Sequence, residues 1–265
     1  GLLDETPAAV AGRVRITDSL ADAAAGVDLV QECAPEQVAL KQDLFSQLDA
    51  AAPAHAILAS SSSALPASMY ASSLAGRGRC IVAHPGNPPY LIPVIEIVPA
   101  PFTDEAAAQR AEALYRQAGL SPVRVRKEVE GFIFNRLQGA VLREAYCLVR
   151  DGIADVEDID TVMREGLGLR WSFMGPFETV DLNTRGGIAS HATKMGPAYA
   201  RMGAQRGQND PWTAEMVASV DGQRRRLLPL DQWAGRVRWR DRMLMRLRSQ
   251  RRKGTEPWPA LPPGG

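Results

Sequence analysis

Of the three histidines in the 265 residues, His84 stands where chemistry is easiest to place. It closes the apolar stretch Cys80-Ile81-Val82-Ala83 and is followed by Pro85-Gly86-Asn87-Pro88-Pro89. An imidazole titrates near neutrality and can take the proton of a substrate hydroxyl. Alone, a strand-end histidine serves equally well as a structural hydrogen-bonding residue, so it needs a partner. Glu96 is the candidate, inside Val94-Ile95-Glu96-Ile97-Val98. A carboxylate in an apolar strand is costly unless paired, and His84 is expected on the neighbouring strand. A carboxylate behind an imidazole fixes its tautomer and stabilises the imidazolium, which is the equipment of a general base. Ser60 to Ser63 form a serine run that also reads as a polar loop capping the next helix. Asn135 falls in the first turn of a long helical pattern, where asparagine is unfavourable unless its side chain caps or binds something.

The elements that must position these residues are legible as alternating patterns. Strands are expected at Val14–Ile16, Val27–Cys33, Ala56–Ala59, Cys80–His84, Val94–Val98 and Val123–Val125. Asp18 is placed as the cap of a helix running to about Ala25. Pro35-Glu36 opens another, with Val38, Leu40, Leu44, Phe45 and Leu48 inward, and Pro66 starts a short one. Thr103-Asp104-Glu105 begins a helix reaching Ala118, with Gly119 as its C-cap. Strands alternating with helices, and strands that are nearly continuous apolar runs, predict an α/β parallel sheet covered on both faces. After Lys127 the pattern is helical: Gly131–Val149 with an apolar stripe of Phe132, Leu137, Val141, Ala145, Leu148 and Val149, then Asp155–Arg164, then a helix opened by Gly175-Pro176. The expected organisation is a partial dinucleotide-binding domain over 1–127, an all-helical domain over 128–252 and a disordered Pro/Gly-rich tail over 253–265.

Composition narrows the class. Apolar residues at 45% and charged residues at 23% are those of a globular chain, and no run is apolar enough to span a bilayer. Cys33, Cys80 and Cys147 have neither zinc spacing nor the density of a disulfide framework, so buried reduced thiols in a cytoplasmic protein are expected, with no metal site. From Asp221 onward there are 12 Lys and Arg against 4 Asp and Glu, whereas residues 1–220 carry 19 against 26. The arginines after 236 alternate with apolar residues as in an amphipathic helix, which favours a solvated or partner-helix face over nucleic acid.

The ordered set of motifs resembles the 3-hydroxyacyl-CoA dehydrogenase family, closest to its lambda-crystallin branch, whose enzymes are L-gulonate 3-dehydrogenases. The resemblance is carried by Gln31-Glu32-Cys33-Ala34-Pro35-Glu36 with Lys41, Ala59 to Ser63, Ala83-His84-Pro85 through Asn87-Pro88-Pro89 to Glu96, Gly131-Phe132-Ile133-Phe134-Asn135-Arg136 and Met174 to Glu178. It implies a Rossmann-type sheet followed by an all-α domain, NAD as cofactor, and a homodimer formed through the helical domain. It implies His84 as general base, Glu96 as its orienting partner, Ser63 at the substrate oxygen and nicotinamide, and Asn135 at the substrate oxygen. It further implies Glu36 and Lys41 near the cofactor.

One departure matters: no Gly-x-Gly-x-x-Gly occurs in the 265 residues. That fingerprint opens the family's first β-α-β unit. The resemblance therefore implies that this unit, roughly 70 residues with its following helices, is missing, and that this chain alone binds NAD poorly and is inactive. The choice between NAD and NADP is left open with it. Pro85-Gly86 after the histidine, and the segment Glu165 to Phe173, resemble the lambda-crystallin form and favour L-gulonate. Arg170 is the candidate for a substrate carboxylate, against a surface or dimer contact, and Trp171 and Phe173 read as core or interface. Dehydrogenases of 3-hydroxybutyryl-CoA or of carnitine, and a non-catalytic crystallin-like protein, remain alternatives.

Overall fold

The computed structural model describes residues 3–172, 174–184, 187–206, 215, 226 and 229–253. Two compact units divide the chain, Gly1–Leu137 with Arg236–Gly265, and Gln138–Gly235.

The first unit is built on a five-stranded sheet in the order β1-β2-β3-β4-β5, namely Leu29–Glu32, Ile57–Ser60, Cys80–Pro85, Val94–Pro99 and Ser121–Arg124. All neighbours are parallel except β3 and β4, which run antiparallel. The reason is the connection: residues 86–93 contain no helix. A parallel return needs a crossover of about a dozen residues or more. The fold is therefore the expected α/β sheet, parallel but for one pair. Helices α1 (Pro7–Ala11), α2 (Leu20–Ala24), α3 (Val38–Ala51), α4 (Ser68–Ala71) and α5 (Glu105–Gln117) connect or flank the strands.

Because strand side chains alternate between faces, each central strand supplies two cores. Leu58, Val82 and Val98 point to the face covered by Phe45 and Leu48 of α3 and by Tyr70 of α4. Ile57, Ala59, Ile81, Ala83, Ile95 and Ile97 point to the other, covered by Ala111 and Tyr115 of α5. The same alternation puts Glu32, Ser60, His84 and Glu96 on the first face, in the registers Glu32 to Ser60 and His84 to Glu96.

Four local expectations are corrected. Val14–Ile16 is not a strand: Val14 and Ile16 are exposed and, among the described residues, no strand lies alongside to pair with them. The cap of α2 is Ser19, whose hydroxyl accepts from the Asp22 N–H, not Asp18. The inward phase of α3 is Lys41, Phe45 and Leu48, with Val38, Leu40 and Leu44 only half-buried. Cys33 is exposed, whereas Cys80 and Cys147 are buried. Burial pushes the Cys80 thiol up to about 12, so it stays protonated and inert at neutral pH.

Helix α6 (Phe134–Arg150) leaves the first unit, and the second unit holds its remainder with α7 (Val156–Thr161), a π turn over Val162–Leu167, α8 (Gly168–Trp171), α9 (Pro176–Asn183) and α10 (Gly187–Arg206). Pro176 occupies the first turn of α9, where a missing N–H costs nothing. Helix α11 (Trp233–Lys253) carries the basic pattern. Phe173 and residues 254–265, the latter expected as a disordered tail, lie outside the described residues. Among the described residues no helix is long and apolar enough to cross a membrane.

Candidate active site

His84 is the fifth residue of β3 and faces Glu96, the third of β4, directly across the antiparallel pair. The connection that forces β4 to run backwards is thus what sets imidazole against carboxylate. His84 Nδ1 lies 2.8 Å from Glu96 Oε2. An ionised carboxylate only accepts hydrogen bonds, so Nδ1 carries the hydrogen and, in the neutral ring, Nε2 keeps its lone pair. The His84 side chain is 11% exposed and that of Glu96 only 2%. The ring packs against Phe132 and Phe134, with centroids 5.8 and 6.4 Å away.

Glu96 does more than face the histidine. Its Oε1 accepts from the backbone N–H of Ile133 at 2.7 Å and of Phe134 at 2.9 Å. These donors converge because Gly131 and Phe132 both adopt positive φ, 74° and 47°, just before α6. Two successive N–H groups presented by such a turn make an anion-holding concavity. Glycine takes that conformation freely and phenylalanine does not. Phe132 is held in it by burial under His84. Burial pushes the Glu96 carboxyl up, but the bonds from His84, Phe134 and Ile133 outweigh that, leaving it below the usual carboxylate range. It is therefore ionised at neutral pH.

Asn135 follows as the second residue of α6. It is half-buried, and its amide forms no hydrogen bond among the described residues. An amide left free in this way is available to a ligand oxygen. One strand pair sets His84 against Glu96, and the helix start that reaches Glu96 through the Ile133 and Phe134 N–H groups carries Asn135 as its next residue.

Ser63 and Glu36 meet each other. The Ser63 hydroxyl donates to Glu36 Oε1 at 2.6 Å, and the Ser63 backbone N–H donates to the same oxygen. Burial raises the Glu36 carboxyl, and the bonds from Ser63, the Ala64 N–H and the charge of Lys41 more than offset it, so it too lies low. The loops after β1 and β2, at the carboxyl ends of parallel strands, carry this pair. The pair fits the polar end of a nicotinamide nucleotide in kind: acceptor oxygens suit ribose hydroxyls or a carboxamide.

Lys41, which the resemblance implies near the cofactor, lies on the inward face of α3. It is fully buried, with Nζ 2.7 Å from Glu32 Oε2 and 3.1 Å from Ser60 Oγ. Sequence reasoning missed Glu32 and Ser60 as its partners. The signal was present, since Glu32 is a carboxylate at the end of a strand that opens on Leu29 and Val30, and Lys41 shares a helix face with Phe45 and Leu48. Arg170 lies in the second unit, half-buried, with its Nε lacking a hydrogen-bond partner among the described residues. Trp171 beside it is 37% exposed. Among the described residues no cluster of His, Cys, Asp and Glu is placed to hold a metal.

Comparison with known proteins adds what geometry alone does not. Residues 1–129 match the NAD-binding domain of 3-hydroxyacyl-CoA dehydrogenase, and residues 131–225 match its C-terminal domain. Lambda-crystallin of Oryctolagus cuniculus is 42% identical over 89% of this chain and 74% of its own length. L-carnitine dehydrogenase of Streptomyces griseus is 43% identical over 79% of this chain and 60% of its own. Among solved structures, the NAD+-dependent 5-formyl-3-hydroxy-2-methylpyridine 4-carboxylic acid 5-dehydrogenase superposes with a TM-score of 0.77 at 29% identity, covering 89% of this chain and 77% of that one. 3-Hydroxybutyryl-CoA dehydrogenase from Escherichia coli gives 0.54 at 30% identity, covering 63% and 34%. With both domain descriptions matched in order and over most of its length, the chain belongs to the 3-hydroxyacyl-CoA dehydrogenase family.

Proposed function

We propose that this site oxidises the 3-hydroxyl of a small hydroxy acid with NAD+, and that L-gulonate, giving 3-dehydro-L-gulonate, is the substrate its residues suit best. The observation that carries the reading is the His84–Glu96 pair, with Nδ1 engaged at 2.8 Å and Nε2 left to accept a proton. When bound, NAD+ accepts the hydride from the carbon bearing the hydroxyl. His84 takes the hydroxyl proton at Nε2, and Glu96 stabilises the imidazolium that results. The Asn135 amide donates to the oxygen as charge builds on it. The Ser63 hydroxyl is already donating to Glu36, so its lone pairs are what it offers, and these suit the N–H donors of the nicotinamide carboxamide rather than the substrate oxygen. Glu36 and Ser63 would hold the nicotinamide end of the cofactor.

Gulonate is favoured by Pro85-Gly86, by Arg170 as a carboxylate partner, and by the 42% identity to lambda-crystallin. L-carnitine is the second reading, supported by a relative of that name at 43% identity and by the partly exposed Trp171, whose ring face suits a quaternary ammonium. We assign cofactor binding to residues 1–127 and substrate binding and homodimer formation to 128–252. The latter rests on an apolar groove of about 790 Å³ lined by Val141, Ala145, Leu148, Ile159, Met163 and Tyr199.

The test follows nicotinamide absorbance with L-gulonate, L-carnitine and 3-hydroxybutyryl-CoA in turn, on this chain and on a fusion that adds a Gly-x-Gly-x-x-Gly β-α-β unit before it. Gulonate turnover that His84→Gln lowers by about 10²–10⁴ is the expected result. Turnover of the other two alone removes gulonate, and a His84→Gln variant within a few-fold of the parent removes His84 as the base. Sedimentation showing only monomer removes the dimer.

A further inference from the structure

A second carboxylate is buried on the sheet face that carries His84 and Glu96. Glu32 ends β1 opposite Ser60, which ends β2. Lys41 reaches them from α3 with no exposed surface of its own. Its Nζ lies 2.7 Å from Glu32 Oε2, 3.1 Å from Ser60 Oγ and 3.4 Å from the Ala34 carbonyl oxygen. An ammonium has three N–H donors, and these three acceptors use them all.

The other bonds of the group run outward into two loops. Glu32 Oε1 accepts from the Ala34 N–H at 2.5 Å. Ser60 Oγ donates to Glu32 Oε2 at 2.6 Å and accepts from the Ser62 N–H at 3.2 Å. Ala34 belongs to the loop that carries Glu36, and Ser62 to the loop that carries Ser63. The two loops meet where Ser63 donates to Glu36.

We propose that Lys41 is a positioning residue that, through Glu32 and Ser60, locks the loops after β1 and β2 in the register that brings Ser63 onto Glu36. It acts on Ser63 through those partners. Stability alone explains the arrangement poorly, because an apolar pair of similar volume is often as stable as a buried ion pair. What an apolar pair cannot supply is direction. Lys41, Glu32 and Ser60 each send a bond to a named backbone atom of one loop or the other. The consequence for the reaction rests on the reading of Ser63 given above; the positioning itself does not.

The experiment therefore needs neither cofactor nor substrate. Amide hydrogen exchange is measured in the full chain, in Lys41→Met/Glu32→Met and in Ser60→Ala, alongside urea unfolding. The Ser63 N–H touches none of the altered side chains, so its exchange reports loop register alone. It is expected to exchange about ten-fold faster or more in both variants, while the Leu58 and Val82 amides of β2 and β3 keep their protection. Ser63 exchange that is unchanged, or that rises only in step with Leu58 and Val82, overturns the proposal and leaves the pair a contributor to global stability. If the double variant does not fold, Ser60→Ala decides, since it removes one hydroxyl and leaves the ion pair in place.

Discussion

Replacing Glu96 by Gln and by Ala separates the two tasks its carboxylate performs. One oxygen holds His84 Nδ1, and the other holds the N–H groups that start α6. Glutamine keeps the shape. Its carbonyl oxygen still accepts from Ile133 and Phe134, and its amide nitrogen then faces Nδ1 as a donor. Hydrogen bonds to a charged group contribute about 1.5–3 kcal/mol against about 0.5–1.5 for neutral ones. Two backbone bonds therefore lose about 2 kcal/mol between them, part of which is offset because no charge is left to desolvate. Glu96→Gln should cost about 1–2 kcal/mol in urea unfolding. Alanine leaves two backbone donors and the imidazole without an acceptor, and should cost about 3–5 kcal/mol. Facing a donor, the His84 ring must place its hydrogen on Nε2, the atom assigned to take the substrate proton. Nitrogen NMR should show that tautomer in Glu96→Gln, with kcat falling by about 10²–10⁴. The sign of the pH dependence is fixed as well. The Glu96 carboxyl lies below its ordinary range in the fold, so its stabilisation is complete above the unfolded-state value of about 4.3. It is lost as pH falls through the lower folded value, and the gap between parent and Glu96→Gln should close there. An Nδ1–H tautomer persisting in Glu96→Gln, or equal stability losses for Gln and Ala, would refute the reasoning.

Phe132 offers a test of the turn before α6. Deleting its ring should cost about 3–5 kcal/mol. At a φ of 47°, Phe132→Gly should nonetheless be more stable than Phe132→Ala by about 0.5–1 kcal/mol, since glycine escapes the left-handed penalty of roughly 1–2 kcal/mol at some cost in chain entropy. The reverse order in thermal unfolding removes the strain argument. Gly86, two residues after His84, has no room for a side chain: a Cβ there would lie 2.5 Å from Ile92 Cγ2 and 2.9 Å from Val94 Cγ1. Gly86→Ala should destabilise by about 1–3 kcal/mol and shift the start of β4, and an unchanged urea midpoint would show that the loop yields freely. Calorimetry with NAD+ should find weak binding by this chain, because its 265 residues hold no Gly-x-Gly-x-x-Gly turn and, among the described residues, β1 has an unpaired edge. A micromolar Kd would overturn that expectation.

How much of this was legible in the sequence depended on whether the signal was local. The five observed strands were marked by apolar runs, and their bounds move by no more than about two residues. Val14–Ile16 shows the limit of that signal. A β-prone run becomes a strand only when another chain pairs with it, and pairing is not written in the run itself. The direction of β4 was open to inference from the short helix-free connection at 86–93, but strand alternation alone argued for a parallel sheet. The His84–Glu96 pair was readable because a carboxylate in an apolar strand demands a partner. The same logic applied to Glu32 and went unused, because Lys41 was read from the resemblance rather than from its spacing to Phe45 and Leu48. The bonds from Ile133 and Phe134 to Glu96 had no sequence signal beyond Gly131, since backbone donors look alike in every sequence.

The two buried carboxylates on this sheet face explain each other. Both end or interrupt apolar strands, both are nearly inaccessible, and each is balanced by a cationic or protonatable partner and by backbone N–H groups. They differ in the partner. Lys41 spends all its donors on three acceptors, so the pair with Glu32 can hold loops in place but has nothing left to exchange. The partner of Glu96 is an imidazole that uses one nitrogen for the carboxylate and keeps the other. It is also the less buried partner, 11% exposed against none for Lys41. A group that must move a proton needs a free titratable atom and a path to the reacting molecule; a group that must only position needs neither. On that basis the proposed proton transfer is placed at His84, and the proposed positioning of Ser63 at Lys41. Exchanging the partners, with a histidine at 41 or a lysine at 84, should abolish each role without transferring it to the other site.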